Sequence, residues 1–231
     1  MAPGFDRIAR PYRWLEYLSF GPMLERCRFH CLPELANAQR ALVLGDGDGR
    51  FLARFLTRNP EIRADVIDAS PAMLQLLAGR AAAISARDRI ALHCADAREF
   101  EPEGSYDLVV THFFLDCFTT KEIYALAERI RPHLCPGARW VVSEFSIPSS
   151  LLSVPAKLLV RSLYAAFHLL TGLNVDRLPD YAAALRAHGL TLVHQRRWLG
   201  GLLVSERWQA QATDSARSPS IPHRATLGPQ P

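Results

Sequence analysis

Residues 42–51, LVLGDGDGRF, place three glycines and two aspartates in one short bend behind an apolar run. Glycine-rich turns between a strand and a helix commonly cradle phosphates, because backbone N–H groups at a helix N-terminus point at the anion. Residue type excludes two forms of that loop here. A dinucleotide fingerprint needs glycine at Gly45, Gly47 and position 50, and position 50 is Arg50. A P-loop needs a Gly-Lys-Ser/Thr ending, which this turn lacks. Asp46 and Asp48 would moreover repel a pyrophosphate seated on the helix N-terminus. A nucleoside that carries positive charge removes the conflict.

S-adenosylmethionine is such a nucleoside, with a sulfonium, an ammonium, a ribose and an adenine. Two further acids follow in order. Asp68 ends the next apolar run, about twenty residues beyond the loop, where a carboxylate takes both ribose hydroxyls. Asp96, in CADA, ends the third run and is placed to accept from the adenine amine. Singly, an aspartate at a strand end is often a turn or cap residue. Acids in register after successive strands are a pattern.

The elements that must position these residues are legible as an alternation. ALVL (41–44), ADVID (64–68), RIALHCAD (89–96), YDLVVTHFF (106–114) and PGARWVVSEF (136–145) read as strands. Helices are expected between them: RFLARFLTR, SPAMLQLLAGRAAAIS with Ser70 as cap before Pro71, and a helix from a Thr119–Glu122 capping box to about His133. Near-continuous apolar strands alternating with helices predict an α/β fold, a parallel sheet covered on both faces. Residues 5–35 read as helical, 150–172 as a long apolar helix, and PDYAAALRAH as a short helix stopped by Gly189. Two last strands, near 190–196 and 201–208, predict an antiparallel hairpin.

On these segments the chain resembles the class I S-adenosylmethionine-dependent methyltransferases. LVLGDGDG is similar to their first motif, VIDASPAML to the second, CADA to the third, and YDLVVTHFFLD and LCPGARWVVSE to their fourth- and fifth-strand segments. FDRIARPYRWLEYLSFG, TGLNVDRLPDY and GLLVSERW are similar to segments of the ubiquinone/menaquinone C-methyltransferase group. The resemblance implies a three-layer, doubly wound, seven-stranded sheet of order 3-2-1-4-5-7-6, the last strand antiparallel, with N-terminal helices and a helical insertion after the fifth strand. It implies S-adenosylmethionine as cofactor, bound by Gly45, Asp46, Gly47 and Gly49, by Asp68, Ala69 and Met73, by Asp96 and Ala97, and by Thr111, with Tyr12 covering it. The family usually carries an acid two residues before the first glycine; here that residue is Val43.

Methyl transfer asks the protein to align a nucleophile, exclude water and, where needed, take a proton. Thr111, His112, Phe113 and Asp116 follow the fourth strand, and Glu144 and Ser146 end the fifth. His112 is the first choice of base by its ordinary pKa, with Asp116 as a second catalytic candidate. The apolar insertion and the resemblance favour a small apolar or aromatic acceptor, quinone-like or lipid-like. The alternative is a non-catalytic cofactor-binding or partner protein of the same fold, which the Val43 position leaves open.

Composition bounds the rest. In 231 residues, 49% hydrophobic and 22% charged, a single domain over 1–209 is expected, with helical caps from 5–35 and 150–188. The Pro- and Ser-rich residues 210–231 read as a disordered tail. The net charge of +4 comes from scattered arginines, which argues against nucleic acid as a partner. In the segment 151–170, Lys157, Arg161 and His168 fall near one face. That suits a pocket lid able to touch a membrane surface, and with Pro155 excludes a spanning helix. CRFHC, with Cys27, His30 and Cys31, lacks a fourth ligand, so no metal is expected. Five irregularly spaced cysteines and a charged amino terminus predict a cytoplasmic protein. The oligomeric state is left open.

Overall fold

The computed structural model describes residues 22–148 and 177–211, together with Leu158, Val160 and Ser162, which are helical. The expectations for Tyr12, for most of the 151–170 helix and for the tail beyond Gln211 lie outside the described residues. Seven strands form one sheet: β1 (Arg40–Leu44), β2 (Arg63–Asp68), β3 (Ile90–Cys94), β4 (Tyr106–His112), β5 (Leu134–Phe145), β6 (Leu190–Trp198) and β7 (Leu203–Ala210). Their order is β3-β2-β1-β4-β5-β7-β6. β7 runs antiparallel to both β5 and β6, and the other pairings are parallel. The helices are α1 (Met23–Phe29), α2 (Arg50–Arg58), α3 (Pro71–Ala83), α4 (Thr120–Ile130) and α5 (Tyr181–Ala187).

Strand periodicity divides the core in two, because successive side chains point to opposite faces. Ala41, Val43, Val66, Leu108, Val110 and Val141 face one way, against Phe51, Phe55 and Leu56 of α2 and Leu74 and Leu77 of α3. Leu42, Leu44, Ile67, Val109, Trp140 and Val142 face the other way, against α4, α5 and Trp208. The parallel strands are buried on both faces, which is why they read as unbroken apolar runs.

Two boundaries differ from the sequence reading. Residues 22–35 are not one helix: α1 ends at Phe29, and a separate 3-10 turn follows at Leu32–Leu35 around Pro33. Proline lacks the N–H that a continuing helix would need. β5 begins at Leu134 rather than at Pro136, because the pairing with β4 shifts register between Tyr106 and Leu108 and so absorbs Pro136 and Gly137. A bulge is one of the few places where a sheet accepts proline.

The caps expected from sequence are formed. Ser70 Oγ accepts from Met73 N at 3.2 Å. The Thr119–Glu122 box is closed in both directions, with Glu122 Oε2 accepting from Thr119 N at 2.7 Å and Thr119 Oγ1 accepting from Glu122 N at 3.3 Å. Glu122 also takes Arg98 Nε at 2.6 Å, which ties the start of α4 to the loop after β3. Replacing Thr119 by Ala is expected to lower stability by about 1 kcal/mol, since one helical N–H loses its acceptor. The urea midpoint measures the loss, and an unchanged midpoint would show that the box contributes nothing.

Candidate functional site

Strands are added to one side of β1 in the order β2, β3 and to its other side in the order β4, β5. The chain therefore reverses its direction of travel between β1 and β4, and a crevice opens outside their carboxyl ends. The glycine turn lies at that point. Gly45 N donates to Ile67 O at 2.9 Å, which fastens the turn to β2. The Phe114 ring lies directly on Gly45: a Cβ there would fall 2.1 Å from Phe114 Cδ2. Among the described residues, Gly47, at φ +59°, has no atom within 4 Å of where its Cβ would stand. Gly49 is the left-handed cap of α2, at φ 80°.

The two carboxylates of the turn have different fates. Asp48 accepts from Arg50 Nε at 2.9 Å and from Arg80 Nη2 at 2.8 Å, while Arg80 Nε donates to its carbonyl at 2.7 Å. It is a cross-link between α2 and α3. The sequence argument that two anions repel a phosphate therefore rests on one of them alone. That one is Asp46, 8% exposed, whose Oδ2 accepts from Leu52 N at 3.0 Å and caps α2 where Gly49 has no side chain. Its Oδ1 is buried without a hydrogen-bond partner among the described residues. Burial pushes this carboxyl up to about 7.

Asp68 stands half-buried at the end of β2, with Oδ1 accepting from Ser70 N at 2.9 Å. Ala69 follows it half-buried, and Met73 is buried in the first turn of α3. Asp96, after β3, accepts from Arg98 N at 2.9 Å and pairs with Arg98 Nη1 at 3.1 Å. Ala97 packs into the core beneath α4. Gly45, Asp68 and Asp96 thus share one edge of the sheet, because β1, β2 and β3 are parallel and in register.

Beyond β4 the residues diverge. Thr111, assigned from sequence to the cofactor, faces the Trp140 side of the sheet. Its hydroxyl accepts from Trp140 Nε1 at 3.1 Å and contacts Val141 O at 3.5 Å, so the side chain is spent within the core. His112 faces the opposite side, 3% exposed, with its ring edge-on to Phe51 at 4.5 Å. Ser143 Oγ donates its one proton to Cys27 O at 3.3 Å, so His112 Nδ1, 2.9 Å away, must donate to Ser143. The lone pair is then on Nε2, which is buried and has no partner among the described residues. Burial and the nearby Arg28 cation hold His112 well below its ordinary pKa, as a neutral ring. That makes it a weaker base than its residue type suggested.

Phe113 turns the chain off β4 in a left-handed conformation, φ 52°, that costs a non-glycine residue about 1 kcal/mol. Glu144, 1% exposed at the end of β5, holds this turn. Its Oε1 accepts from Phe114 N at 2.9 Å and Leu115 N at 2.7 Å. Asp116 follows on the same turn, half-buried, with Cys117 Sγ donating to its Oδ1 at 3.6 Å. Burial raises both carboxyls, and the charge of Asp116 raises Glu144 further. Glu144 therefore keeps its proton while Asp116 titrates at about 6. Cys27 and Cys31 are buried thiols, the first donating to Val204 O at 3.2 Å and the second 3.5 Å from Ser205 Oγ.

Sequence reasoning missed Arg28. This α1 residue is 6% exposed, lies over the Phe113 ring at 5.5 Å, and its charge acts on both Asp46 and His112. No local spacing announces such a contact; only the approach of α1 to β4 creates it.

A glycine turn at the switch point, strand-end acids on β2 and β3, and a reversed strand inside the last hairpin are together the fold of the class I S-adenosylmethionine-dependent methyltransferases. Residues 42–140 match the family model described as a methyltransferase domain. An O-methyltransferase family protein from Burkholderia thailandensis superposes with a TM-score of 0.66 at 19% identity, over 90% of this chain and 63% of that one. The N-methyltransferase NodS from Bradyrhizobium japonicum, in complex with S-adenosyl-L-homocysteine, superposes with a TM-score of 0.56 at 16% identity, over 81% of this chain and 84% of NodS. In sequence, polyamine aminopropyltransferase 2 of Bacillus cereus is 26% identical over 108 residues, 41% of this chain and 30% of that protein. The chain spans less than two thirds of the length of that relative. The cofactor of the class is S-adenosylmethionine, and an acidic, phosphate-averse turn at the switch point fits a cationic nucleoside.

Replacing Asp68 by Ala is expected to weaken S-adenosylhomocysteine binding by about 1.5–3 kcal/mol, the range for hydrogen bonds to a charged group. Calorimetric titration checks this, and an unchanged affinity would remove Asp68 from the ribose.

Proposed function

We propose that this chain transfers a methyl group from S-adenosylmethionine to a small apolar or aromatic acceptor, quinone-like or lipid-like in character. The observation that supports the acceptor class is the cluster of aromatic rings where β4 and β5 end. Phe113 and Phe145 pack at 5.4 Å between ring centroids, Phe114 and Phe118 at 4.9 Å, and Phe114 lies on the glycine turn itself. Aromatic faces order a flat apolar acceptor and keep water from the sulfonium, which is most of what an in-line methyl transfer needs. The similarity of the opening and closing segments to the ubiquinone/menaquinone C-methyltransferase group supports the same acceptor class.

Where the acceptor must lose a proton, Asp116 is the better base of the two sequence candidates. It is half-buried, on the turn beside Phe114, and raised to about 6, close to the range in which a base works at neutral pH. His112 has Nδ1 committed to Ser143 and a ring held neutral by burial. The Thr111 hydroxyl is engaged by Trp140.

The reading is tested by incubating the protein with methyl-labelled S-adenosylmethionine and a panel of quinols, phenols and extracted lipids. Label in an organic product supports it; cofactor binding without transfer to any of them counts against it. With a productive acceptor, the rate is expected to rise as pH passes upward through about 6, because Asp116 must first lose its proton. Asp116→Asn should lower turnover by about 10²–10⁴-fold and abolish that limb. A variant with an unchanged profile would assign the proton elsewhere.

A further inference from the structure

CRFHC lines up Cys27, His30 and Cys31 in the sequence, but the fold sends them to different places. Cys27 Sγ donates to Val204 O at 3.2 Å and Cys31 Sγ lies 3.5 Å from Ser205 Oγ, both thiols buried against β7. His30, which caps the end of α1, turns instead to β6. Its Nε2 stands 3.0 Å from His194 Nε2, a contact across 164 residues. The ring centroids are 5.2 Å apart and the planes 25° from parallel. Both residues are half-buried, so solvent ions can reach them.

A bulge puts His194 there. Leu192 pairs with Trp208 but His194 pairs with Arg207, so Val193 is an extra residue in β6. Regular alternation would give His194 the face of Leu192 and Trp208. The bulge turns it to the other face, that of Arg207 and Ser205, where Cys31 packs at the end of the α1 segment. The Trp198 ring closes one side of the pair, 5.6 Å from the His30 ring and at 81° to it.

We propose that His30 and His194 bind a divalent first-row transition metal through their Nε2 atoms, as a cross-link between α1 and the edge strand β6. At 3.0 Å the two nitrogens cannot both carry protons, so at least one lone pair already faces the other ring. Two nitrogens at 2.0–2.1 Å from a tetrahedral ion stand roughly 3.3–3.4 Å apart, so small ring rotations open the pair far enough. The ring with its proton on Nε2 moves it to Nδ1, and neutral rings take up the ion with no net loss of protons. Burial, with the nearby His194 and Arg196, lowers the His30 pKa and favours the neutral form that ligates.

Among the described residues no group of three or more His, Cys, Asp or Glu side chains gathers to hold a metal. The described residues therefore supply two ligands, and water completes the shell. Such a site is an exchangeable staple rather than a reaction centre, since catalytic zinc takes three protein ligands. The charges around it are Arg196, held over the Trp198 ring at 5.2 Å, and Arg207, the strand partner of His194, which is paired with Glu34. The arginines oppose a dication and keep its affinity below that of a site with more ligands.

The metals themselves are the probes. Calorimetric titration of the full chain at neutral pH with Zn²⁺, Ni²⁺ and Cu²⁺ should show one site per chain, with Cu²⁺ the tightest. His30→Gln and His194→Gln keep a hydrogen-bonding group of similar reach. Each should weaken binding by at least about 10-fold, no less than the loss of an outer partner costs. S-adenosylhomocysteine affinity should be unchanged in both, which reports an intact fold. Electron paramagnetic resonance of the Cu²⁺ form should show two coupled ring nitrogens, and one in either variant. Lowering the pH to about 5.5 should release the ion, because a protonated imidazole has no lone pair to give. Undiminished binding in both variants would assign the ions to other donors. No saturable binding of any of the three, or a copper spectrum of the unsubstituted chain without two ring nitrogens, would leave the pair a hydrogen bond alone. Each of these results overturns the proposal, and the last two need no variant to fold.

Discussion

The site depends on a turn that is held by its own carboxylates. Between β1 and α2 the chain takes a left-handed conformation at Gly45, Gly47 and Gly49, a path that costs conformational entropy and gains no side-chain packing. Asp46 supplies the cap that Gly49 cannot, and Asp48 draws Arg50 and Arg80 together, so that α2 and α3 are clamped to the loop between them. Among the described residues, no atom stands within 4 Å of the Gly47 Cβ position. Phe114 closes on Gly45 from β4, and Glu144 fixes Phe114 from β5. Four consecutive strands of the sheet are thus referred to one five-residue bend.

Charge is distributed unevenly across the sheet. In the β1–β3 half Asp68 and Asp96 stand at the strand ends, and Asp65, within β2, is met by Arg40, His93 and Tyr106. The β4–β7 half carries acids in its interior: Glu144, and Glu206, which accepts from Trp208 Nε1 at 2.8 Å and Tyr181 Oη at 3.2 Å. Buried carboxyls of this kind are tolerated when donors reach them or when they stay protonated. Glu144 shows both responses, with backbone donors on one oxygen and a pKa raised by burial and by Asp116. The consequence is chemical. Between Glu144 and Asp116, Asp116 is the one that loses its proton first.

How far the molecule was legible in its sequence depended on the range of each interaction. Ser70, Thr119 with Glu122, and Gly189 were read correctly because a cap acts within four residues of itself. The strands were read because burial on both faces leaves an unbroken apolar run. The direction of the Thr111 side chain was not legible for the opposite reason. A hydroxyl at the end of β4 points either into the crevice or at Trp140, and the partner that decides is 29 residues away. Asp48 read as one of two charges averse to a phosphate, but Arg80, 32 residues on, pairs with it. Arg28 gave no signal at all.

The amino-acid sequence by itself determined the alternation of strands and helices, the left-handed bend of glycines and the strand-end acids, since each follows from local backbone sterics and the two periodicities of burial. Together these already pointed to a cationic nucleoside rather than a phosphate. The tertiary structure alone decided which of those polar groups keep unmet valence at the crevice and which are consumed as structure. Hydrogen-bond satisfaction and pKa depend on what lies within a few ångströms, and packing brings those neighbours from α1, α3, β4 and β5.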